Sequence, residues 1–448
     1  MVIAVPKFEP RLQLRYRQLM GQHLRTSHGL AAGLGQLPSL GQGFAAAQAV
    51  WRFYANPRVS LPQLAEPLLE YAKQAVAKHC ATYVLVSADW SPLHYTHHQS
   101  KADRIKLYGK DDLGYLLHSA LALSDKDGQP LAPLYLGVEA ADGLHSHLSE
   151  KPIACEATVD EALRIARAVA DVLLTKLHVL IFDRALDSLW HLRQLAAQPH
   201  LFLIRGNDVR RVEHEGESRL LEEVEATLVP QFKYCRKVVY QGQKLRQYVA
   251  EATLTLKQPA RRQRFVNGKV RYQLIKGEPL TLRYVVAQLR DRKGQVLATW
   301  RLWTNVPTSV KPATIVQWYY WRWRFESTFQ LFKRGGQHLE QWQQETALAI
   351  AKRLMIAAHA CVLVWALQQE TQDEKVIALR QLLIDLSGRL MRRGVEHTAP
   401  ALLAGLWNLL AIIDAMERYP LHELLDSGQQ LIHMLGLEKR YPQFKELV

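Results

Sequence analysis

The hydrophobic pattern divides the chain into a helical start, an alternating middle and a helical end. Residues 1–75 carry apolar side chains at helical spacing, and a helix over Gly43–Pro57 should end at its proline. Ser60 is placed to cap the helix that follows. From Ala81 onward, short apolar runs typical of strands replace the helical pattern. After about Val306 the spacing is helical to the end, which favours helices that pack together or pair with another subunit.

The middle of the chain predicts three strands, a helix, a strand, a helix and a strand, in that order. This order favours a mixed sheet with helices packed on its faces. The predicted strands are 82–90, 116–125, 131–140, 178–183 and 200–206, and the predicted helices between them are 158–177 and 185–198.

The charge is strongly positive and unevenly distributed. The net charge is +15 and the pI about 9.6, so a polyanion is the expected partner, with nucleic acid ahead of an anionic membrane. Between Gln231 and Trp300, 16 Lys and Arg residues stand against three acids. Val, Tyr and Thr alternate with these cations, and Asn267-Gly268 predicts a tight hairpin. We expect a β-meander whose basic face follows phosphates, or else a solvated basic face without a ligand.

Several other classes of function are disfavoured. The four cysteines have no C-x-x-C spacing, so neither a zinc knuckle nor a disulfide framework is indicated. The longest apolar stretch, 354–367, is too short to cross a bilayer, and the first residues lack a signal-peptide core. We therefore expect a soluble intracellular protein. The histidines after Asp89 (His94, His97 and His98) fit a polar loop better than a transition-metal site.

Two aspartates end apolar strands. Asp89 and Asp183 each stand where a strand fixed by the core meets a crevice, a position that suits a ligand site. An acid at such a place can equally be a helix cap or a turn residue. The pair is more informative than either residue alone.

A third acid lies in the segment Trp318–Lys333. If this segment is one helix, an aromatic stripe faces the core and a polar stripe runs beside it. The polar stripe contains Tyr319, Arg322, Glu326 and Lys333. It is either a surface row with an Arg322–Glu326 pair, worth about 0.3–0.5 kcal/mol, or a carboxylate held among phosphate-binding groups.

Three acids in a basic chain suggest phosphoryl chemistry. Mg²⁺ prefers oxygen ligands from one or two carboxylates together with phosphate. Two such ions activate an attacking oxygen and stabilise a leaving one in an in-line displacement at phosphorus. Asp89, Asp183 and Glu326 are the natural trio, and the basic strands lie between the last two.

These residues resemble a known family. Y-x2-R-x3-E-x6-K, here Tyr319, Arg322, Glu326 and Lys333, is similar to the signature of the IS-four family of DDE transposases. Further similar segments occur in the family's order; they are AAQAVWRFYANPRVS, SADWS, IFDRALD, FLIRGNDVRR and WRLWTNVP. The resemblance covers about residues 43–350.

The resemblance implies an α/β fold with an RNase H-like mixed sheet. A β-strand insertion would interrupt the sheet, and helical domains would flank it. The implied division is an N-terminal helical DNA-binding domain (1–75), a catalytic domain in two parts (76–206 and 301–345), a basic insertion (207–300) and a C-terminal helical dimerisation region (346–448).

The implied activity is cut-and-paste DNA transposition by strand nicking, hairpin formation and strand transfer. Asp89, Asp183 and Glu326 would be catalytic and would hold two Mg²⁺ ions, for which Mn²⁺ substitutes. Trp300 would stack on an extruded base. The implied DNA contacts are Tyr319, Arg322, Lys333, Trp300, Arg205, Arg184, Arg52 and Arg58.

The implied partners are transposon-end and target DNA and a second copy of the chain, with no membrane, in the bacterial cytoplasm near the nucleoid. The chain departs from the family at two positions. Ala185 replaces the acid of D-R-E-A-D, and Gln330 stands where the transposon-five member has lysine. The alternatives are a catalytically silent DNA-binding derivative and an RNase H-like nuclease that only hydrolyses DNA.

Overall fold

The computed structural model has a large mixed sheet surrounded by helices. It describes residues 5–25, 43–109, 111–155, 158–172, 174–207, 209–266, 269–333, 337–391 and 393–434. The helices are α1 (Pro10–Arg25), α2 (Gly43–Ala55), α3 (Leu61–His79), α4 (Thr158–Asp171), α5 (Leu189–Ala196), α6 (Leu221–Thr227), α7 (Pro312–Trp321), α8 (Trp323–Lys333), α9 (Ala347–Gln369), α10 (Glu374–Leu386), α11 (Ala399–Arg418) and α12 (Leu421–Met434).

The strands come from the middle of the chain, as their apolar and β-branched runs predict. They are β1 (Tyr83–His94), β2 (Ile105–Lys106), β3 (Leu113–Ser124), β4 (Pro130–Ala140), β5 (Gly143–Ser146), β6 (Leu177–Phe182), β7 (Leu201–Arg205), β8 (Arg211–His214), β9 (Glu217–Leu220), β10 (Lys233–Tyr240), β11 (Gln243–Leu256), β12 (Ala260–Val266), β13 (Lys269–Ile275), β14 (Leu280–Arg290) and β15 (Val296–Thr304).

The predicted order of strands and helices is confirmed. β1, β3 and β4 are antiparallel neighbours, whereas β1, β6 and β7 are parallel. Helices α4 and α5 supply the two crossovers that parallel strands require. The sheet order is β5-β4-β3-β1-β6-β7-β15-β14-β11-β8-β9.

The basic stretch extends this sheet. β15 pairs antiparallel with β7 and with β14, so these strands continue the sheet beyond the parallel part. Position 300, where the expected insertion ends, lies inside β15. β12 and β13 form a separate two-stranded ribbon, and the predicted Asn267-Gly268 turn between them lies outside the described residues.

The helices before and after the sheet pack on one another. Helices α1, α2 and α3 contact α9, and α3 and α9 also pack on β4. The buried Lys352 of α9 donates to the carbonyls of Tyr54 and Asn56, both at 3.0 Å, and so satisfies acceptors left by the end of α2. Ser60 caps α3 as predicted, with Gln63 completing the capping box.

The prediction of one continuous helix from Trp318 to Lys333 is wrong. α7 ends at Trp321 and α8 begins at Trp323, because the Arg322 amide bonds the carbonyl three residues back, at Tyr319, in a tighter turn. Trp318 and Phe325 of the predicted aromatic stripe are nevertheless buried.

Two of the described helices are long and apolar enough to cross a bilayer. These are α9, whose most apolar window is 83% buried inside the protein, and α11, whose window is 28% buried. α9 is accordingly a core helix, whereas α11 leaves much apolar surface exposed. The prediction that the apolar stretch 354–367 is too short to cross a bilayer is wrong, because the helix that contains it has 23 residues.

The contact between α10 and α11 depends on Gly405. A Cβ at this position would lie 1.9 Å from the carbonyl oxygen of Leu383, a backbone atom that cannot turn away. Gly405→Ala should therefore destabilise the C-terminal helices by about 1–3 kcal/mol, measured as a lower midpoint of thermal unfolding.

Gly21→Ala is the matched control. Gly21 lies inside α1, and a methyl group on its Cα would have nothing within 4 Å, so alanine should be neutral or stabilise by about 0.5–1 kcal/mol. Equal effects of the two substitutions would contradict the close approach of α10 and α11.

Candidate active site

Three predicted site residues lie side by side where the parallel pairing of β1, β6 and β7 ends. β1 itself continues to His94, paired with β3, so the prediction that its strand ends at Asp89 is wrong. Ser87 pairs with Ile181 on the neighbouring strand, so two residues later Asp89 stands level with Asp183. The pairing of β6 with β7 likewise places Arg205 next to Asp183. This edge is where open α/β sheets place their ligands.

Arg322 connects the start of α8, the helix that carries Glu326, to this sheet edge. Its Nη1 lies 3.2 Å from Oδ2 of Asp89, and their side chains are only 12% and 24% exposed. The Arg322–Glu326 pair of a simple surface row is not among the ion pairs of the described residues. Glu326 is exposed, one helical turn beyond Arg322 on α8, and makes no hydrogen bond or ion pair with any described residue. Arg322 therefore pairs with Asp89, and the Glu326 carboxylate has no hydrogen-bond or ion-pair partner among the described residues.

The charges of the three acids act on one another. Burial raises the pKa of Asp89 to about 6, against the opposing effects of Arg322 and the Trp90 amide, which donates to Asp89 at 2.9 Å. The negative charges of Asp183 and Glu326 raise this pKa further. Acids far apart in the sequence are therefore close enough to repel one another at this edge.

Tyr319 brings an unsatisfied hydroxyl to the same place. It is 2% exposed, its ring centre lies 5.8 Å from the Arg322 guanidinium, and its hydroxyl has no hydrogen-bond partner of good geometry among the described residues. Burial raises its pKa, while the positive charges of Arg322 and Arg205 oppose the shift. A buried donor between two guanidinium groups fits an anionic oxygen.

Lys333 fixes the far end of α8 along β1. Its ammonium donates to the carbonyl of Pro92 and lies 3.5 Å from the Glu340 carboxylate. Glu340 in turn accepts the His94 amide at 3.1 Å. With Arg322 at Asp89 and Lys333 at Pro92, α8 is held beside β1 at both ends.

Asp183 is also a cap, the alternative that the sequence left open. Its Oδ1 accepts the Ala185 amide at 2.8 Å and starts a short 3₁₀ turn over Arg184–Leu186, in which Arg184 is exposed. Capping occupies one carboxylate oxygen, and the other oxygen makes no hydrogen bond or ion pair with the described residues.

Asp187, from the same sequence segment, has a structural role. Its buried carboxylate lies 2.9 Å from Nη2 of Arg210 and accepts the Asn207 amide at 2.6 Å. These bonds hold the loop after β7 against the turn that follows Asp183.

The structure does not support the expected role of Trp300. The side chain is 1% exposed and packs between Tyr240, Tyr319 and Tyr320, with ring centres 5.9, 5.8 and 6.2 Å away. No face of the indole is open to a base in this arrangement. Trp300 is a core tryptophan in β15 because tyrosines of β10 and α7 cover it.

Arg52 and Arg58 lie apart from the carboxylates. Both are exposed on the N-terminal helical region, where Arg58 lies 3.7 Å from Glu9 and Arg52 lies 3.5 Å from Gln48. They can contribute to a DNA-binding surface, but not to this edge of the sheet.

A buried polar relay behind Asp89 was missed by the sequence reasoning. The indole of Trp90 donates to Nδ1 of His118 at 3.0 Å, and Nε2 of His118 lies 2.7 Å from Glu139. The Trp90 ring also stacks on Phe182, which precedes Asp183. A histidine within the apolar run of β3 was the only signal in the sequence.

Carboxylate oxygens are the ligands that a hard cation prefers, but in this arrangement the three carboxylates stand apart from one another. Within the described part of the chain, no three His, Cys or carboxylate side chains are close enough to hold one ion. Arg322 supplies the positive charge beside Asp89 instead. His94 is the last residue of β1 and pairs with Asp112 at 3.0 Å, whereas His97 and His98 follow after the strand.

Comparisons with known proteins add one remote structural likeness. No protein-family model matches this chain, and no curated protein matches it in sequence. The chain is similar in structure to a piggyBac transposase, solved as a synaptic complex with hairpin DNA. The TM-score is 0.35 and the identity 9%, over 91% of this chain and 73% of that one. A likeness this remote carries no argument about function.

Asp89→Asn should stabilise the protein above pH 6. An unfolded aspartate has a pKa of about 3.9, and the folded value is about 6, so ionisation of Asp89 costs stability as the pH rises through this window. Asparagine cannot ionise, so it removes this cost and should raise the free energy of unfolding by up to about 3 kcal/mol. We expect a higher thermal midpoint at pH 8 with EDTA and none of this gain at pH 4.

Asp111→Asn, at an exposed turn position, is the control and should change neither midpoint. A lower midpoint for Asp89→Asn at pH 8 would mean that the Arg322 pair outweighs burial and the two neighbouring acids.

Proposed function

We propose that this protein is a DNA transposase of the IS-four type that uses a DDE site. The observation that carries the proposal is that Asp89, Asp183 and Glu326 lie near enough at one sheet edge for their charges to interact, with Arg322, Tyr319 and Arg205 around them. Acids beside phosphate-binding cations suit cleavage and joining of a phosphodiester. The match to the Y-x2-R-x3-E-x6-K signature selects transposition within that chemistry.

The catalytic core that we propose is RNase H-like. Its support is the run β4-β3-β1-β6-β7, with three antiparallel strands, then two parallel ones linked through helices. The strands from β8 to the first half of β15, within 207–300, would be the insertion between Asp183 and Glu326. The residue boundaries given for the domains stay part of this proposal.

The three carboxylates would hold two Mg²⁺ ions, with Mn²⁺ as a substitute. Bound there, the ions would supply Lewis acidity at the scissile phosphate. Glu326 has no competing partner among the described residues, and Asp183 keeps one oxygen available. Arg322 would release Asp89 and turn to the DNA phosphate, which the Tyr319 hydroxyl and Lys333 would also bind.

Only some of the cations between Gln231 and Trp300 would contact DNA. Three arginines have structural roles instead. Arg283 donates to Glu251, Arg236 to the Ala313 carbonyl and Arg290 to Gln288. Exposed cations remain on β10, β11 and the β12–β13 ribbon. With Arg52, Arg58 and Arg184, they would bind the backbone of the transposon end.

A second copy of the chain would cover α11 and α12. The exposed apolar side chains of these helices form a surface that a soluble protein rarely leaves open. They include Ile412 (45% exposed), Ile413 (44%), Met416 (55%), Tyr419 (53%) and Leu421 (59%). We propose a homodimer in the DNA complex, acting on DNA in the bacterial cytoplasm and without a membrane partner.

Cleavage of DNA that flanks the gene tests the proposed chemistry. A supercoiled plasmid carrying the gene with its flanking DNA should be nicked at both element ends in Mg²⁺. Asp89→Ala, Asp183→Ala and Glu326→Ala should each lower the rate at least about a hundredfold, since loss of a metal ligand removes several kcal/mol of transition-state stabilisation. End binding, measured by gel shift, should persist.

Asp171→Ala, at the exposed end of α4, is the control for this series and should cleave normally. Absence of cleavage by the unmodified chain would favour a silent DNA-binding derivative. Nicks without hairpins or joined products would favour a nuclease.

Ile412→Glu with Met416→Glu should prevent dimerisation. Two charges on the apolar face of α11 would have to be buried in the interface, so we expect the DNA complex to have one subunit by light scattering. Ile377→Glu, an exposed position on α10, is the control. A complex of unchanged mass would place the interface elsewhere.

A further inference from the structure

A large cleft lies along α8, on the side of the helix opposite Glu326. Its volume is about 1010 Å³. Six elements form its walls: the end of α3, the β3–β4 turn, one side of α8, the end of α9, the α10–α11 loop that carries Arg389, and the start of α11. No part of the proposed catalytic chemistry uses this cleft.

The cleft is strongly basic. Lys126, Arg324 and Arg389 line it with exposed side chains and form no ion pair with an acid among the described residues. Lys78 also lines it, but Glu370 lies 3.0 Å away and offsets its charge. Asp127 is the acid among the lining residues. Three uncompensated cations from three separate elements therefore converge on one space.

The walls are fixed rather than loosely placed. The carboxylate of Asp125 accepts the amides of Ala81, Thr82 and Tyr83 at 2.7, 3.0 and 2.9 Å, which ties the β3–β4 turn to the start of β1. In the same turn, Gly128 has a φ of +70°, and a Cβ there would lie 2.3 Å from the Trp321 ring. The turn that carries Lys126 is thus held against the end of α7.

The position of Arg324 separates this cleft from the acids. Arg324 and Glu326 are two residues apart on α8, which places them about 200° apart around the helix axis. Thr328 and Leu331 line the cleft together with Arg324. A ligand in the cleft would therefore contact the opposite side of the helix from a scissile phosphate at Glu326.

The chemistry of the lining selects a phosphate backbone with bases attached. The cations are spread over the walls, and Pro130 and the 40% exposed Val395 provide apolar surface between them. Grooves that bind single-stranded nucleic acid follow its phosphate backbone with positive charge of this kind. The volume matches the upper end of ordinary ligand pockets, so it admits a few nucleotides of one strand rather than a duplex.

We propose that this cleft is a second DNA site, which binds a single strand on the far side of α8 from the carboxylates. The inference rests on the proposed function, because it takes DNA to be the substrate of this chain. A free polyphosphate shares the phosphate chemistry, and the experiment separates the two.

The test measures binding of a fluorescent oligothymidylate by anisotropy across a salt series. Lys126→Ala with Arg324→Ala removes two phosphate contacts, so the salt slope of log K should fall by about 1.4, at about 0.7 per contact for a single strand. The affinity in 0.1 M salt should fall on the order of tenfold or more. Arg167→Ala with Lys375→Ala removes the same charge from exposed positions on α4 and α10 and should leave both quantities unchanged.

A second measurement locates the strand directly in the unmodified protein. An oligothymidylate containing 4-thiothymidine should crosslink to the peptides around 126 and 324, and tripolyphosphate at equal phosphate concentration should compete poorly. Crosslinks confined to the β10–β13 region, or equal salt slopes for the two double variants, would overturn the proposal. Strong competition by tripolyphosphate would reassign the cleft to a small polyanion.

The cleavage assay, run in parallel, separates this inference from the proposed function. Cleavage of element ends together with unchanged strand binding in Lys126→Ala/Arg324→Ala would remove the cleft site alone. Crosslinking at the cleft in a protein that cleaves no DNA would remove the transposase activity and leave the strand site.

Discussion

The ion pair between Arg322 and Asp89 is the contact on which the arrangement of the site depends. It joins residues 233 positions apart, across the whole basic stretch, at 3.2 Å. Because Arg322 sits at the junction of α7 and α8, the pair sets where α8 begins and hence where Glu326 lies. Lys333 at the carbonyl of Pro92 then fixes the other end of the helix. In the protein without DNA, these two contacts hold α8 and its Glu326 beside the sheet edge.

The Arg322–Asp89 pair also offsets part of the electrostatic repulsion between the three carboxylates. Burial and two neighbouring negative charges raise the pKa of Asp89 to about 6, and Arg322 moderates this shift without cancelling it. The cluster therefore retains unfavourable charge, which a divalent cation would relieve. Under the proposed function, this repulsion would favour metal binding, because a bound cation relieves it and the relief adds to the free energy of binding.

Local signals in the sequence were enough for much of the fold. The Ser60 cap, the helix that ends before Pro57 and the order of strands from β1 to β7 all follow from short-range patterns. The level positions of Asp89 and Asp183 follow once their strands are parallel neighbours. Long-range contacts were not readable in the same way. The break at Arg322, the burial of Trp300 and the relay through His118 depend on which elements pack together, and periodicity within one segment carries no such information.

The spatial claim has a direct test in metal-directed cleavage of the polypeptide. Fe²⁺ bound at the proposed Mg²⁺ site, with ascorbate and peroxide, would generate hydroxyl radicals that cut the backbone near the ion. We expect three cuts, close to Asp89, Asp183 and Glu326, all suppressed by excess Mg²⁺. Cuts near only one of these residues, or at sites that Mg²⁺ does not protect, would contradict a shared metal site.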